Sequence, residues 1–164
     1  MTDDIKSTIC SKAWNYPIIN LSNNELTMCC HTVHQKVHDN EVKNLGVDIF
    51  TKFQPIQETK FDLLQGIKSD ACSYCWRLEE KNIGSSRTGF DDFSRYVAST
   101  NYFNTYDTRE VAKKLTTLTV DEKFEMSQNL VAPKNIEIFV GNHCDLKCVY
   151  CNEWFSSQWM SEKK

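Results

Sequence analysis

The sequence predicts a mixed α+β fold that turns α/β in its last portion. Three observations carry this expectation. Short apolar runs flank turn-forming residues near the N-terminus. Apolar residues recur at helical spacing through the middle of the chain. The eight cysteines fall into three groups and leave Trp76 to His143 free of them. The first group is Cys10, Cys29 and Cys30, the second Cys72 and Cys75, the third Cys144, Cys148 and Cys151.

Each element has a local reason. PIINLSNNELTMCCHT reads as a hairpin: an apolar run from Ile18, turn chemistry over Ser22–Asn24, and a return over Glu25–Cys29. Asn24 suits a left-handed turn position. PIQETKFDLLQG reads as a short helix with Phe61, Leu63 and Leu64 inward and Gly66 at its end. SYCWRLEEKNIG reads as a second helix, closing near Gly84. In DTREVAKKLTTL, Val111, Leu115 and Leu118 keep helical spacing behind a cap at Asp107 or Thr108. Asn135–Val140 alternates as a strand that Pro133 starts. SSRTGFDDFSRY and TNYFNTYDT read as linkers.

The chain has 164 residues, 40% hydrophobic and 25% charged, which is ordinary globular usage for one domain or two small ones. A net charge of -3 argues against a strongly basic nucleic-acid surface. Nothing approaches the roughly 18 apolar residues of a membrane span. The start, MTDDIKSTICSKAW, has no apolar signal core, so a cytoplasmic location is expected. Cysteines in that compartment read as metal ligands or redox groups before they read as disulfides.

The third group stands in GNHCDLKCVYCNEWFSSQW, at Cx3Cx2C spacing on a loop just past a strand. Strand C-terminal ends are where ligands bind in α/β folds. A four-iron cluster is normally held by four thiolates, so three leave one iron open to an outside ligand. A zinc site completed by His143 is the alternative, but His143 abuts Cys144 and chelates poorly with it.

Strand, then Cx3Cx2C with the aromatic Tyr150 before the last cysteine, resembles the radical S-adenosylmethionine enzymes. The likeness continues upstream. CSKAWNYPIINLSNNELTMCC resembles the opening of the auxiliary-cluster segment of SPASM and twitch-type members, with Cys10, Trp14, Asn24 in a glycine position, and Cys29. ACSYCWRLEEKNIGSSR resembles their CxxC helix with its Glu and its Ser-Arg, and the Ser-Ser-x-Trp after the triplet also matches. The departures are Lys-Ala before Trp14, where Pro is usual, and Asn24 for Gly.

The resemblance implies a twitch-like segment over 1–90, a helical linker over 91–132, and over 133–164 the first strand and cluster loop of an incomplete βα barrel. It implies a 4Fe-4S cluster on Cys144, Cys148 and Cys151 that chelates S-adenosylmethionine, with Tyr150 at the cofactor. A second, auxiliary iron–sulfur cluster falls to Cys10, Cys29, Cys72 and Cys75. In the family, an external electron donor reduces the first cluster, S-adenosylmethionine is cleaved, and a 5'-deoxyadenosyl radical takes hydrogen from a substrate that this sequence does not identify. A complete barrel takes ~250 residues, whereas thirteen follow Cys151. The expectation is therefore an N-terminal portion, too short for efficient catalysis unless a downstream polypeptide completes it. The family's viral twitch members suggest the cytoplasm of an infected bacterial host.

Other readings are a small zinc-binding module without catalysis, or a stand-alone iron–sulfur electron carrier. Cys30, adjacent to Cys29, reads as a small buried hydrophobe. His31, His34 and His38 read as surface histidines, although with Cys29 or Cys72 they could make a zinc site. Trp76, Phe90, Phe93, Tyr96, Tyr102 and Phe103 could stack nucleobases but read first as core. Asp91 and Asp92 form no acid–base pair.

Overall fold

A computed structural model describes residues 2–87, 89–98, 103, 105, 107–129, 133–141, 143, 148 and 156–162. Helix α1 (Thr2–Thr8) and the single turn α2 (Lys12–Asn15) lead into strands β1 (Ile18–Asn20), β2 (Glu25–Thr27) and β3 (Gln35–Lys36). Helices α3 (Asp39–Leu45), α4 (Ile49–Lys52), α5 (Gln54–Gln65), α6 (Ser73–Glu80), α7 (Phe90–Ala98), α8 (Thr108–Thr117) and α9 (Val120–Asn129) follow. Strand β4 (Glu137–Phe139) and helix α10 (Ser157–Glu162) close the order. The architecture is mixed α+β.

The expected hairpin forms. Ile18 pairs with Thr27 and Asn20 with Glu25 in antiparallel register, and Asn24 takes a left-handed φ of 51°. A short polar side chain makes that conformation tolerable for a non-glycine residue. The last strand joins the same sheet: β4 runs parallel to β1, giving the order β3-β2-β1-β4. The strand before the cysteine loop is therefore built onto the cysteine-rich N-terminal hairpin.

Helix α5 ends as its sequence demands. Gly66 adopts φ 80° and its N–H bonds back to Leu63, while Leu63 and Leu64 are fully buried. Phe61 is only half-buried, packing edge-on against Phe124 of α9 at 5.6 Å. Asp107 caps α8 by accepting from Arg109 N–H at 2.7 Å. Thr119 and Glu122 form a reciprocal capping box on α9, at 2.7 and 3.2 Å.

The stretch SSRTGFDDFSRY, expected as a linker, instead carries most of α7. Its Phe93, Tyr96 and Val97 sit at i, i+3 and i+4 and are 0%, 1% and 0% exposed. The apolar face is clear, but Gly89 and the Asp91-Asp92 pair mask it as a loop in one dimension. In TNYFNTYDT only Phe103, Thr105, Asp107 and Thr108 are described; Phe103 is buried and Thr108 begins α8. Tyr102 lies outside the described residues. One apolar core joins Ile5 and Ile9 of the N-terminal turn, Leu63 and Leu64 of α5, Phe93 of α7, Leu115 of α8 and Met126 of α9. Residues expected as a separate linker thus share the core of the cysteine-rich segment. No helix among the described residues is long and apolar enough to cross a membrane.

Candidate metal centre

Four segments deliver the four cysteines expected at the auxiliary site. Cys10 follows α1, Cys29 follows β2, Cys72 ends a single 3-10 turn over Asp70–Cys72, and Cys75 lies in the first turn of α6. All four are buried, with exposures of 7%, 8%, 8% and 7% in that order. None is in a disulfide.

Burial pushes the Cys72 thiol up to about 12, and negative charge on Cys29, Cys10 and Cys75 adds to that push, while Arg87 opposes it. Burial likewise raises Cys29 to about 11, with Cys10 and Cys30 contributing in the same direction. Cys75 is raised first by burial and then by Cys10, and hydroxyls of Ser85 and Ser86 pull the other way by hydrogen bonding. Without a cation such a pocket keeps the Cys29, Cys72 and Cys75 thiols protonated. A bound metal inverts that logic, because a coordinating thiol is deprotonated outright.

Among the described residues, no group of three or more His, Cys, Asp or Glu side chains is set to hold a metal ion. Cys72 feels the charge of Cys29, Cys10 and Cys75, but the described residues do not set the four thiols around one point. Four thiolates around a zinc, each at about 2.3 Å, would stand only about 3.8 Å apart. The donor set, four soft sulfurs in an apolar pocket, fits zinc or an iron–sulfur core.

A clamp holds two of the cysteine segments together. Arg87 makes a two-pronged pair with Glu79, Nε to Oε1 at 2.8 Å and Nη2 to Oε2 at 2.7 Å. Its Nη1 donates to the carbonyls of Ser7 at 2.6 Å and Ile9 at 3.1 Å, directly before Cys10. The guanidinium also lies over the Trp76 ring, 4.7 Å from the centroid. Ser85 Oγ donates to Glu79 Oε1 at 2.6 Å. Burial pushes the Glu79 carboxyl up, but hydrogen bonds from Arg87 and Ser85 outweigh it and hold the group below the ordinary carboxylate range. The Glu and Ser-Arg of the CxxC segment thus tie α6, which carries Cys75, to the chain entering Cys10.

Cys29 has its own anchor. Thr32 Oγ1 accepts from the Cys29 N–H at 3.3 Å and donates to its carbonyl at 2.9 Å. A threonine three positions on is the signal that marks this turn, and sequence reading missed it. Cys30 is exposed, not buried as expected. With Cys29 turned into the core, the next side chain points to the opposite side.

The histidines stay at the surface. His34 is exposed, its Nδ1 3.0 Å from Glu25, and His31 stacks on Tyr74 with ring centroids 4.7 Å apart. His38 is the N-terminal cap of α3. Trp76, Phe93 and Tyr96 are core residues, as expected, and Trp14 packs on Phe93 with centroids 5.0 Å apart.

Of the triplet, Cys144 and Cys151 lie outside the described residues, as does Tyr150. Cys148 is half-buried, and its carbonyl accepts from Trp159 Nε1 at 3.2 Å. The Trp of Ser-Ser-x-Trp, on α10, therefore returns to the cysteine loop. His143 is exposed. Lys60 on α5 escaped sequence reading: it is 3% exposed, its Nζ donates to the Phe50 carbonyl at 3.2 Å, and burial pushes it down to about 8.

No family model matches this chain, and neither a curated protein nor a solved structure matches it.

Proposed function

We propose that this chain is an iron–sulfur protein of the radical S-adenosylmethionine type. In this reading Cys10, Cys29, Cys72 and Cys75 hold an auxiliary cluster, and Cys144, Cys148 and Cys151 hold the cluster that takes S-adenosylmethionine. When bound, the second group supplies one-electron reduction of the sulfonium. The observation that carries the reading is the meeting of Cys10, Cys29, Cys72 and Cys75 in one buried neighbourhood. Cys10, Cys29 and the Cys72–Cys75 pair come from three separate segments of the sequence.

The residues around them have defined work. The Ser86 hydroxyl favours the Cys75 thiolate by hydrogen bonding, while Ser85 gives its proton to Glu79. Such outer hydrogen bonds orient a ligand and tune the potential of the metal group it holds. Arg87 lends positive charge near Cys72, which offsets part of the cost of gathering thiolates in an apolar pocket. Trp14, Phe93 and Trp76 wall the segment with apolar rings.

The test is spectroscopic. The full chain is reconstituted anaerobically with iron and sulfide and reduced, and its electron paramagnetic resonance spectrum is recorded with and without S-adenosylmethionine. Two cluster signals are expected, one of which changes on adding S-adenosylmethionine. In a variant with Cys144, Cys148 and Cys151 all replaced by Ala, the responsive signal should vanish and the other persist. A colourless protein carrying zinc under the same conditions would instead establish the zinc-module reading.

A further inference from the structure

We infer that two copies of this chain pair edge to edge through β4, antiparallel about a two-fold axis at Ile138. This rests on the sheet and not on the cysteines; a further barrel strand at the same edge is the competing occupant, and it would leave the chain monomeric.

Among the described residues, no strand lies beyond β4 in the sheet. Bonds toward β1 use its odd-numbered residues: Asn135 N–H donates to Asn15 at 3.0 Å, Glu137 N–H to Pro17 at 3.1 Å, and Leu21 N–H to the Phe139 carbonyl at 2.8 Å. Backbone directions alternate along a strand. Ile136, Ile138 and Val140 therefore turn their N–H and C=O groups away from β1, where the sheet order β3-β2-β1-β4 places no strand.

The same three residues put β-branched side chains on one face, 44%, 56% and 78% exposed. That face is continuous with the core. Ile138 pairs with Ile19, and Ile19 with Leu26. Along this row exposure falls from 56% at Ile138, through half-buried Ile19, to 1% at Leu26. Among the described residues, an apolar row thus begins in the core and runs off an edge that no strand pairs and no charge guards. Natural edges are usually guarded by charge, bulges or cover.

A second copy completes the row. With Ile138 opposite its own counterpart, Ile136 faces Val140 of the second copy, and every apolar side chain meets another. The outward backbone groups then meet as hydrogen-bonded pairs. On the other face Glu137 meets Phe139. Shifting the register two residues one way sets Glu137 against Glu137, and shifting it the other way leaves Ile136 without an apolar partner. Like charges directly opposite destabilise a pair. The pattern selects one register, and its two-fold symmetry closes the assembly at a dimer.

The test is sedimentation velocity on the reduced full chain across a wide concentration range, with amide hydrogen exchange of the 135–141 segment. A monomer–dimer equilibrium is expected, with Ile136, Ile138 and Val140 amides gaining protection as the dimer forms. Ile138→Lys and Val140→Lys should each abolish the dimer while circular dichroism stays that of the wild type. Val47→Lys, at a site 87% exposed elsewhere on the surface, should leave it intact. A monomer at all concentrations, a dimer indifferent to Ile138→Lys in a folded variant, or growth beyond the dimer overturns the inference.

Discussion

Arg87 reaches Glu79 through two parallel hydrogen bonds of 2.8 and 2.7 Å, and with its remaining amino group it holds the carbonyls of Ser7 and Ile9. Glu79 belongs to the helix of Cys75, and Ile9 directly precedes Cys10. The pair therefore fixes the distance between two proposed ligands that lie 65 positions apart in sequence. A lysine cannot reproduce the planar fork.

Replacing Arg87 should open the site before it unfolds the protein. Arg87→Lys and Arg87→Ala are expected to lose iron from the N-terminal site faster than wild type, with Lys giving little rescue. Charge-assisted hydrogen bonds of this kind contribute roughly 1.5–3 kcal/mol, so urea midpoints should fall accordingly. Iron release to a chelator over time is the readout. Unchanged release in Arg87→Ala would mean the clamp does not position Cys10.

Cys29 and Cys30 should behave as opposites despite being adjacent. Cys30 is exposed and Cys29 is 8% exposed, with its thiol raised to about 11. Thiolate character and access govern alkylation. In metal-free protein, mass spectrometry after brief iodoacetamide treatment should find Cys30 modified well ahead of Cys29. Cys30→Ala should keep full iron, and Cys29→Ala should lose the N-terminal site. The reverse pattern would move the ligand register by one residue.

Lys60 is a charge held in the core at a cost. Its folded value of about 8 lies below the ordinary 10.5, so from about 8 to 10.5 the unfolded chain binds the proton more strongly and the Lys60 contribution to stability rises with pH. Below that window the penalty is constant. Lys60→Met should therefore stabilise the protein at pH 7 by on the order of 2 kcal/mol, with the gain shrinking above pH 8. The buried thiols act in the opposite sense above about 9, since their folded values are raised, so the comparison must be variant against wild type at each pH. Chemical denaturation at several pH values reads it. A destabilised Lys60→Met at pH 7 would show that the hydrogen bond to Phe50 outweighs desolvation.

Asn24 should tolerate glycine and little else. At φ 51° a residue with a branched Cβ costs roughly 1–2 kcal/mol or more. Asn24→Gly is expected to match or exceed wild-type stability, and Asn24→Val to lower the thermal midpoint and weaken iron retention at Cys29. Equal midpoints for Gly and Val would remove the turn from the account.

Much of this was legible in one dimension, and the reasons are local. The hairpin showed because Ser22–Asn24 is turn chemistry between apolar runs. Helix α5 showed because Gly66 marks its end, and α8 because Asp107 caps it. The choice of Cys10, Cys29, Cys72 and Cys75 as one ligand set rests on motif resemblance, since nothing in periodicity brings residues that far apart together. Helix α7 was lost because Gly89, Asp91 and Asp92 look like a loop, although Phe93, Tyr96 and Val97 carry the helical face. Helix α9 was lost although Thr119 and Glu122 spell a capping box. The parallel pairing of β4 with β1 has no signature in either strand.

The central claim is that Cys10, Cys29, Cys72 and Cys75 together hold one iron–sulfur cluster, separate from the triplet. The most direct measurement is iron and acid-labile sulfide per chain, after anaerobic reconstitution, in the Cys144→Ala/Cys148→Ala/Cys151→Ala variant and in the same variant with Cys72→Ala added. The account predicts that the first keeps about half the wild-type iron with matching sulfide, and that the second keeps neither. Iron absent from the first variant, iron unaffected by Cys72→Ala, or zinc without sulfide would contradict it.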